Sequence, residues 1–142
     1  MVIEIDFGTP LYDSSVQLRD LILRKPLNLE FTPEQLAKEY DSFHFAYMNE
    51  EFEMLGCLVM KPVDANTVRM RQVAVNESYQ KQGIGTSLVY YVEKWAKERG
   101  FLKIILHARD LAIPFYDRLD YKKIGNAFYE VGIEHYLMEK EL

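Results

Sequence analysis

The sequence predicts one mixed α/β domain over residues 1–142, with a single, mostly antiparallel sheet flanked by helices. Three observations carry this. Three period-two segments lie between residues 43 and 75, joined by short polar turns. The longest helical pattern follows, Gly83 to Arg99, with Leu88, Val89, Val92, Trp95 and Ala96 on one face. After it comes an apolar run, Phe101 to His107, which reads as a buried strand parallel to an earlier one across that helix.

Each element has its own signal. Val2 to Phe7 alternates apolar and acidic residues, as a strand with one wet face does, and Gly8-Thr9-Pro10 breaks it. Ser14 to Lys25 carries Val16, Leu18, Leu21 and Ile22 at helical spacing, with Asp13 or Ser14 as cap and Pro26 as stop. Thr32-Pro33-Glu34-Gln35 starts a short second helix ending near Tyr40: threonine caps, proline fits the first turn and Gln35 completes a capping box. Phe43 to Met48, Phe52 to Lys61 and Thr67 to Val75 form a meander, and Gly100 ends the long helix. Leu111 to Leu119 is a short helix with Pro114 in its first turn, and Lys122 to Val131 and His135 to Leu142 close the chain as strands.

Composition narrows the function. At 142 residues, with 49% hydrophobic and 27% charged residues, the chain buries roughly two-thirds of its unfolded surface and needs no metal or disulfide staple. A net charge of −5 argues against non-specific nucleic-acid binding. The first residues lack the basic start and apolar run of a secretory signal, and Leu55 to Met60 is too short to span a bilayer. With one cysteine, Cys57, no intrachain disulfide forms, and a cytoplasmic setting is expected. Cys57 sits among Leu55, Gly56, Leu58 and Val59 as a small core residue, and His44 reads as a surface strand residue.

Chemistry concentrates after the third meander strand. Arg71 to Val75 is followed by a loop, Asn76 to Tyr79, and then by Gln80-Lys81-Gln82-Gly83-Ile84-Gly85-Thr86 at the helix start. First-turn amides have no internal partner, and the helix dipole places partial positive charge there. Glycines at 83 and 85 leave the amides open to a phosphate, Thr86 adds a hydroxyl, and Lys81 or Gln82 lies along the rim. A tight turn with close helix–sheet packing explains the same glycines. Gly85 is followed by Thr86 and Ser87 rather than Lys-Ser or Lys-Thr, so this is not a P-loop; two glycines do not make the three-glycine dinucleotide motif. No Gly-x-Ser-x-Gly elbow and no metal-ligand spacing is present.

Gln80-x-x-Gly83-x-Gly85 resembles the Arg/Gln-x-x-Gly-x-Gly/Ala signature of the GCN5-related N-acetyltransferase (GNAT) superfamily. Ala112 to Tyr121 resembles the family's A-x-x-F-Y-x-x-L-G-F segment, with Asp120 in place of the glycine. Aspartate tolerates the left-handed conformation better than most residues. The tail, Gly132-Ile133-Glu134-His135 to Met138, resembles a bacterial subgroup with a Gly-Ile-x-His-x-x-Met ending.

The resemblance implies an acyl-CoA N-acyltransferase fold with splayed fourth and fifth strands. It implies acetyl-CoA as acyl donor, with no metal. Amides from Gln80 through Lys81, Gln82, Gly83, Ile84 and Gly85 to Thr86 would hold the diphosphate, and the backbone of Val73 and Val75 would pair with the pantetheine arm. Arg109 stands where many members carry an asparagine on the cofactor arm, and Tyr116 matches the tyrosine that protonates the departing thiolate. The expected reaction is acetyl transfer to a primary amine: a small amine, an amino sugar phosphate or a protein amine. Glu53, His107 and His135 are the candidate general bases. Arg24-Lys25, Arg69 and Arg71 either face an anionic acceptor or form a solvated face. The alternatives are a non-catalytic acyl-CoA-binding or sensor protein and a plain interaction domain. A homodimer through Phe43 to Tyr47 or the C-terminal strands competes with core burial of the same residues.

Overall fold

The computed structural model describes residues 1–142. Seven strands form one sheet in the order β1-β2-β3-β4-β5-β7-β6. They are β1 (Val2–Ile5), β2 (Phe43–Met48), β3 (Met54–Pro62), β4 (Thr67–Val75), β5 (Lys103–Arg109), β6 (Lys122–Glu130) and β7 (Ile133–Glu141). Only β4 and β5 are parallel, as the crossover through the long helix requires. The other neighbours are antiparallel.

Four α-helices accompany the sheet: α1 (Pro10–Arg19), α2 (Pro33–Ala37), α3 (Ile84–Glu98) and α4 (Ile113–Arg118). α3 supplies Leu88, Val89, Val92 and Ala96 to the larger core, all fully buried, against Phe45, Leu58, Met60, Val68 and Met70. Burying each large apolar side chain contributes about 1.5–3 kcal/mol. Trp95 fixes the helix end by packing its ring 4.9 Å from that of Phe43 and 5.2 Å from that of Phe45. α1 covers the opposite face, where Leu18 meets Ile5, Ala46, Cys57 and Ala74.

Several boundaries depart from expectation. α1 begins at Pro10, not Ser14, and its cap is Thr9, whose side chain accepts from the Tyr12 amide. Proline fits a first turn because its missing N–H has no partner to lose there, so Gly8-Thr9-Pro10 opens a helix directly. The helix then loosens into one π-helical turn, Asp20–Arg24, and a tight turn, Lys25–Leu27, closed by Asn28 at φ +56°. The Thr32–Gln35 capping box is present as expected. β3 starts at Met54 because Asn49 Oδ1 accepts from the amides of Glu51 and Glu53 and lengthens the turn. The last hairpin turns at Val131-Gly132, both with positive φ, so β7 starts two residues before His135. Asp120 adopts φ +71°.

One placement corrects the sequence reading. His44 is buried, not at the surface: its Nε2 donates to the Glu39 carbonyl at 3.0 Å, and the rings of Phe7 and Tyr12 cover it. Phe43, Phe45 and Tyr47 lie on an internal strand and pack into the core; the sheet edges are β1 and β6.

Beside His44 a charged group is sealed under α1. Arg19 is fully buried and forks both guanidinium nitrogens onto Glu39, which also accepts from the Tyr12 hydroxyl at 2.7 Å. Removing one partner of such a pair strands the other charge in a low dielectric.

Candidate active site

The sheet opens where β4 and β5 part. Their ladder runs from Thr67–Lys103 to Met70–Leu106 and stops. There β4 bulges: Val59 faces Arg71 but Cys57 faces Ala74, and Gln72 takes φ +55°. The extra residue reverses the side-chain alternation. Met70 and Val73 therefore both serve the α3 face, while Ala74 joins the core under α1.

Two cavities meet in this opening. The first, about 640 Å³, lies between the end of β4, the turn before α3 and α4. Val73, Val75, Gln80, Lys81, Gly83, Ile84, Gly85 and Thr86 line it. The first α3 hydrogen bond is Ser87 N–H to the Gly83 carbonyl, 2.9 Å, so the amides of Lys81 to Thr86 find no acceptor in the chain. Lys81 and Gly83 are both left-handed, at φ +64° and +83°, which curves the turn into a concave set of donors. A Cβ at Gly83 would meet nothing within 4 Å, so its φ requires glycine and packing does not. At Gly85 a Cβ would stand 3.3 Å from Phe115 Cζ, so here glycine also permits the close approach of α4.

Two motif residues behave differently from their neighbours. Gln80 spends its side chain on the loop, donating from Nε2 to the Val75 carbonyl at 3.1 Å, and its own amide turns back toward Glu77. Gln82 is exposed and lines neither cavity.

The second cavity, about 250 Å³, lies between the segment after α1, the β4 bulge, the end of β5 and the β6–β7 hairpin. Arg24, Arg69, Arg71, His107, Arg109, Glu130 and His135 line it. Arg109 thus lies away from the α3 turn: it shares the His107 face of β5, since strand side chains alternate. Glu53 lines neither cavity and sits in the β2–β3 turn beside Asn49.

Val73, Ala112 and Tyr116 line both cavities. Tyr116 is buried, which pushes its hydroxyl well above the usual phenol range, and that hydroxyl makes no hydrogen bond within the chain. Its neighbour Tyr121, with ring centroid 5.8 Å away, donates to Glu93 at 2.8 Å.

The two histidines of the second cavity are held differently. His135 Nδ1 donates to the Ile133 carbonyl at 2.8 Å, leaving Nε2 as the unprotonated nitrogen of the neutral ring. His107 Nδ1 is 2.7 Å from Arg69 Nη2 and 3.1 Å from Glu130 Oε2, contacts that ask for opposite protonation. Burial, then the Arg69 charge, holds His107 below the usual imidazole range. Glu130, absent from the sequence reading, lies below the usual carboxylate range: burial opposes this, but hydrogen bonding to His107 and the charges of His107 and Arg69 outweigh it. No group of three or more His, Cys, Asp or Glu side chains is placed to hold a metal ion.

The acetyltransferase (GNAT) family model matches residues 13–121, from within α1 through the α3 turn and α4.

The chain belongs to that family.

It is 34% identical over 77 residues to the uncharacterized protein YyaT of Bacillus subtilis, covering 54% of this chain and 52% of that protein. It is 27% identical over 120 residues to human N-acetyltransferase 8B, covering 79% of this chain and 52% of the relative. The chain thus spans about half the length of these relatives. A GNAT family acetyltransferase from Elizabethkingia anophelis with acetyl-CoA bound superposes with TM-score 0.78 at 22% identity, over 100% of this chain and 97% of that one. An aminoglycoside 6'-N-acetyltransferase complexed with coenzyme A superposes with TM-score 0.82 at 20% identity, over 99% and 96%. At such identities the likeness establishes the GNAT fold, including the parallel β4–β5 pair within a mixed sheet.

Proposed function

We propose that this GNAT-family chain transfers the acetyl group of acetyl-CoA to a primary amine by direct attack. The observation that carries this reading is a continuous opening: unpaired amides at the start of α3 lead along β4 to the unpartnered hydroxyl of Tyr116. The neighbours with acetyl-CoA or coenzyme A bound support the same choice of donor.

The residues fit the donor. Amides from Lys81 to Thr86 would hold its diphosphate, with Lys81 at the rim and Gln80 bracing the turn through Val75. The backbone of Val73 and Val75 faces the gap left by the splayed strands and would take the pantetheine arm. The donor supplies an activated thioester carbonyl.

The chain's own groups then manage protons. His135, through Nε2, relieves the acceptor ammonium of one proton, so that a neutral amine forms the new C–N bond. As the C–S bond breaks, Tyr116 gives its hydroxyl proton to the leaving sulfur and regains one from the acylated nitrogen. A strongly raised tyrosine remains protonated until a thiolate forms beside it. No covalent enzyme intermediate is needed, and buried Cys57, its thiol pushed up to about 12 by burial, takes no part.

The strands of one sheet run from residue 2 to residue 141, which supports reading the chain as one acetyltransferase unit. A single cysteine supports cytoplasmic action. No helix is long and apolar enough to cross a membrane. The test is thiol release from acetyl-CoA across an amine panel, beside thermal shift with acetyl-CoA. A stabilised protein that releases thiol only with amine present supports the enzyme. Stabilisation without turnover supports the sensor reading, and no stabilisation removes both.

A further inference from the structure

Four of the chain's seven arginines line the second cavity: Arg24 from the π-helical turn, Arg69 and Arg71 from β4, and Arg109 from the end of β5. They gather against an overall charge of −5. One carboxylate faces them, Glu130, whose Oε1 is 3.6 Å from Arg69. Asp20 also counters Arg24 from outside the cavity, while lying 3.8 Å from Lys25. Arg24 is further fixed by stacking over Phe31, 4.4 Å from the ring centre.

The cluster has unspent bonding capacity. Arg69 Nε is buried without a hydrogen-bond partner, as is Gln72 Oε1 on the bulge, which lines the same cavity. Burial, then repulsion from Arg19 and Arg71, weakens the proton affinity of Arg24; burial, then Arg71, does the same to Arg69. Guanidiniums crowded with too little counter-charge are stabilised by a carboxylate or phosphate, which accepts their paired N–H groups.

On the acetyltransferase reading, we infer that the acceptor is an anionic amine: a primary amine also bearing a carboxylate or phosphate, its anion held by Arg24, Arg69, Arg71 and Arg109. Tyr116 and Val73, shared by both cavities, mark where the amine end meets the donor. Gln72 Oε1 supplies an acceptor for an amine N–H. The same charge repels polycationic amines, aminoglycosides among them.

The test uses the whole chain saturated with coenzyme A, so that the donor's phosphates are already bound. Coenzyme A is titrated first by calorimetry; failure to bind overturns the acetyltransferase reading itself. Matched probes follow at 0.1 M salt: glucosamine 6-phosphate against glucosamine, leucine against leucinamide, and spermidine as the polycation. At least one anionic member is expected to bind about tenfold or more tightly than its neutral partner, the phosphate or carboxylate pair showing which anion is preferred. Spermidine is expected not to bind. Arg71→Gln is expected to erase the preference while coenzyme A affinity stays within threefold. Equal affinity within both pairs, no binding by either anionic probe, or tighter binding of spermidine overturns the inference. So does an Arg71→Gln loss for coenzyme A as large as for the anionic probe, because the arginines would then serve the donor.

Discussion

The cavity at the start of α3 and the cavity behind the β4 bulge share Val73, Ala112 and Tyr116, yet they are made of different material. The first is a backbone site. Its donors are main-chain amides of one contiguous turn, and glycine and left-handed φ give it its shape. The second is a side-chain site. Its arginines, histidines and one glutamate come from four separate stretches of chain. A backbone site tolerates changes of side chain that leave its φ angles and free space intact. A side-chain site can change its ligand by single substitutions while the fold stays. A family that keeps one donor and varies its acceptors would be built this way.

The largest expected effect falls outside both cavities, on the ion pair sealed under α1. Arg19→Met leaves Glu39 buried and unpaired, and urea denaturation is expected to show a loss of about 3–5 kcal/mol. Unchanged stability would mean that the pair is not sealed. In the first cavity, Gly83→Glu is expected to weaken coenzyme A binding at least a hundredfold in calorimetry, because bulk and charge meet the diphosphate. Gly83→Ala, with open space for its Cβ, separates the cost of φ +83° from that effect and is expected to bind within about fivefold of wild type. Equal binding by both variants would place the diphosphate elsewhere.

At the boundary, Tyr116→Phe is expected to lower kcat about a hundredfold with coenzyme A affinity within threefold. Tyr121→Phe is the contrast, since its hydroxyl is spent on Glu93; it is expected to cost stability but little kcat. Next, His135→Gln is expected to lower kcat/KM about tenfold.

The smallest effect is a pH slope of stability. Burial holds both His44 and His107 below the usual 6.5. As pH falls through 6.5 the unfolded chain takes up these protons before the folded one does, so stability is lost on acidification. Thermal melts are expected to fall between pH 7 and pH 5, and His44→Gln to flatten part of that slope. A melt rising toward pH 5 would mean that charged histidines are favoured in the fold.

The same contrast explains what was legible in the sequence. Gln80 to Thr86 is contiguous, and a backbone site announces itself through the glycines it needs. Tyr116, which the structure places at the wall shared by both cavities, lies in the contiguous Ala112–Tyr121 segment. The arginine cavity was not legible as a whole: Arg24-Lys25 resembles any solvated pair, Glu130 carries no local signal, and only the splay of β4 and β5 brings them together. The bulge at Gln72 was missed because no glycine or proline marks it. His44 was misjudged because its burial depends on where α1 lands. The start of α1 was legible but misread: Thr9-Pro10 is the same capping signal as Thr32-Pro33, hidden by the glycine before it.

The most direct measurement is amide nitrogen–proton NMR of the labelled chain titrated with coenzyme A. The amides of Lys81 to Thr86 have no acceptor in the chain and should show the largest downfield proton shifts, as new bonds to phosphate oxygens form. If these six resonances stay still while others move, the first turn of α3 is not the coenzyme site.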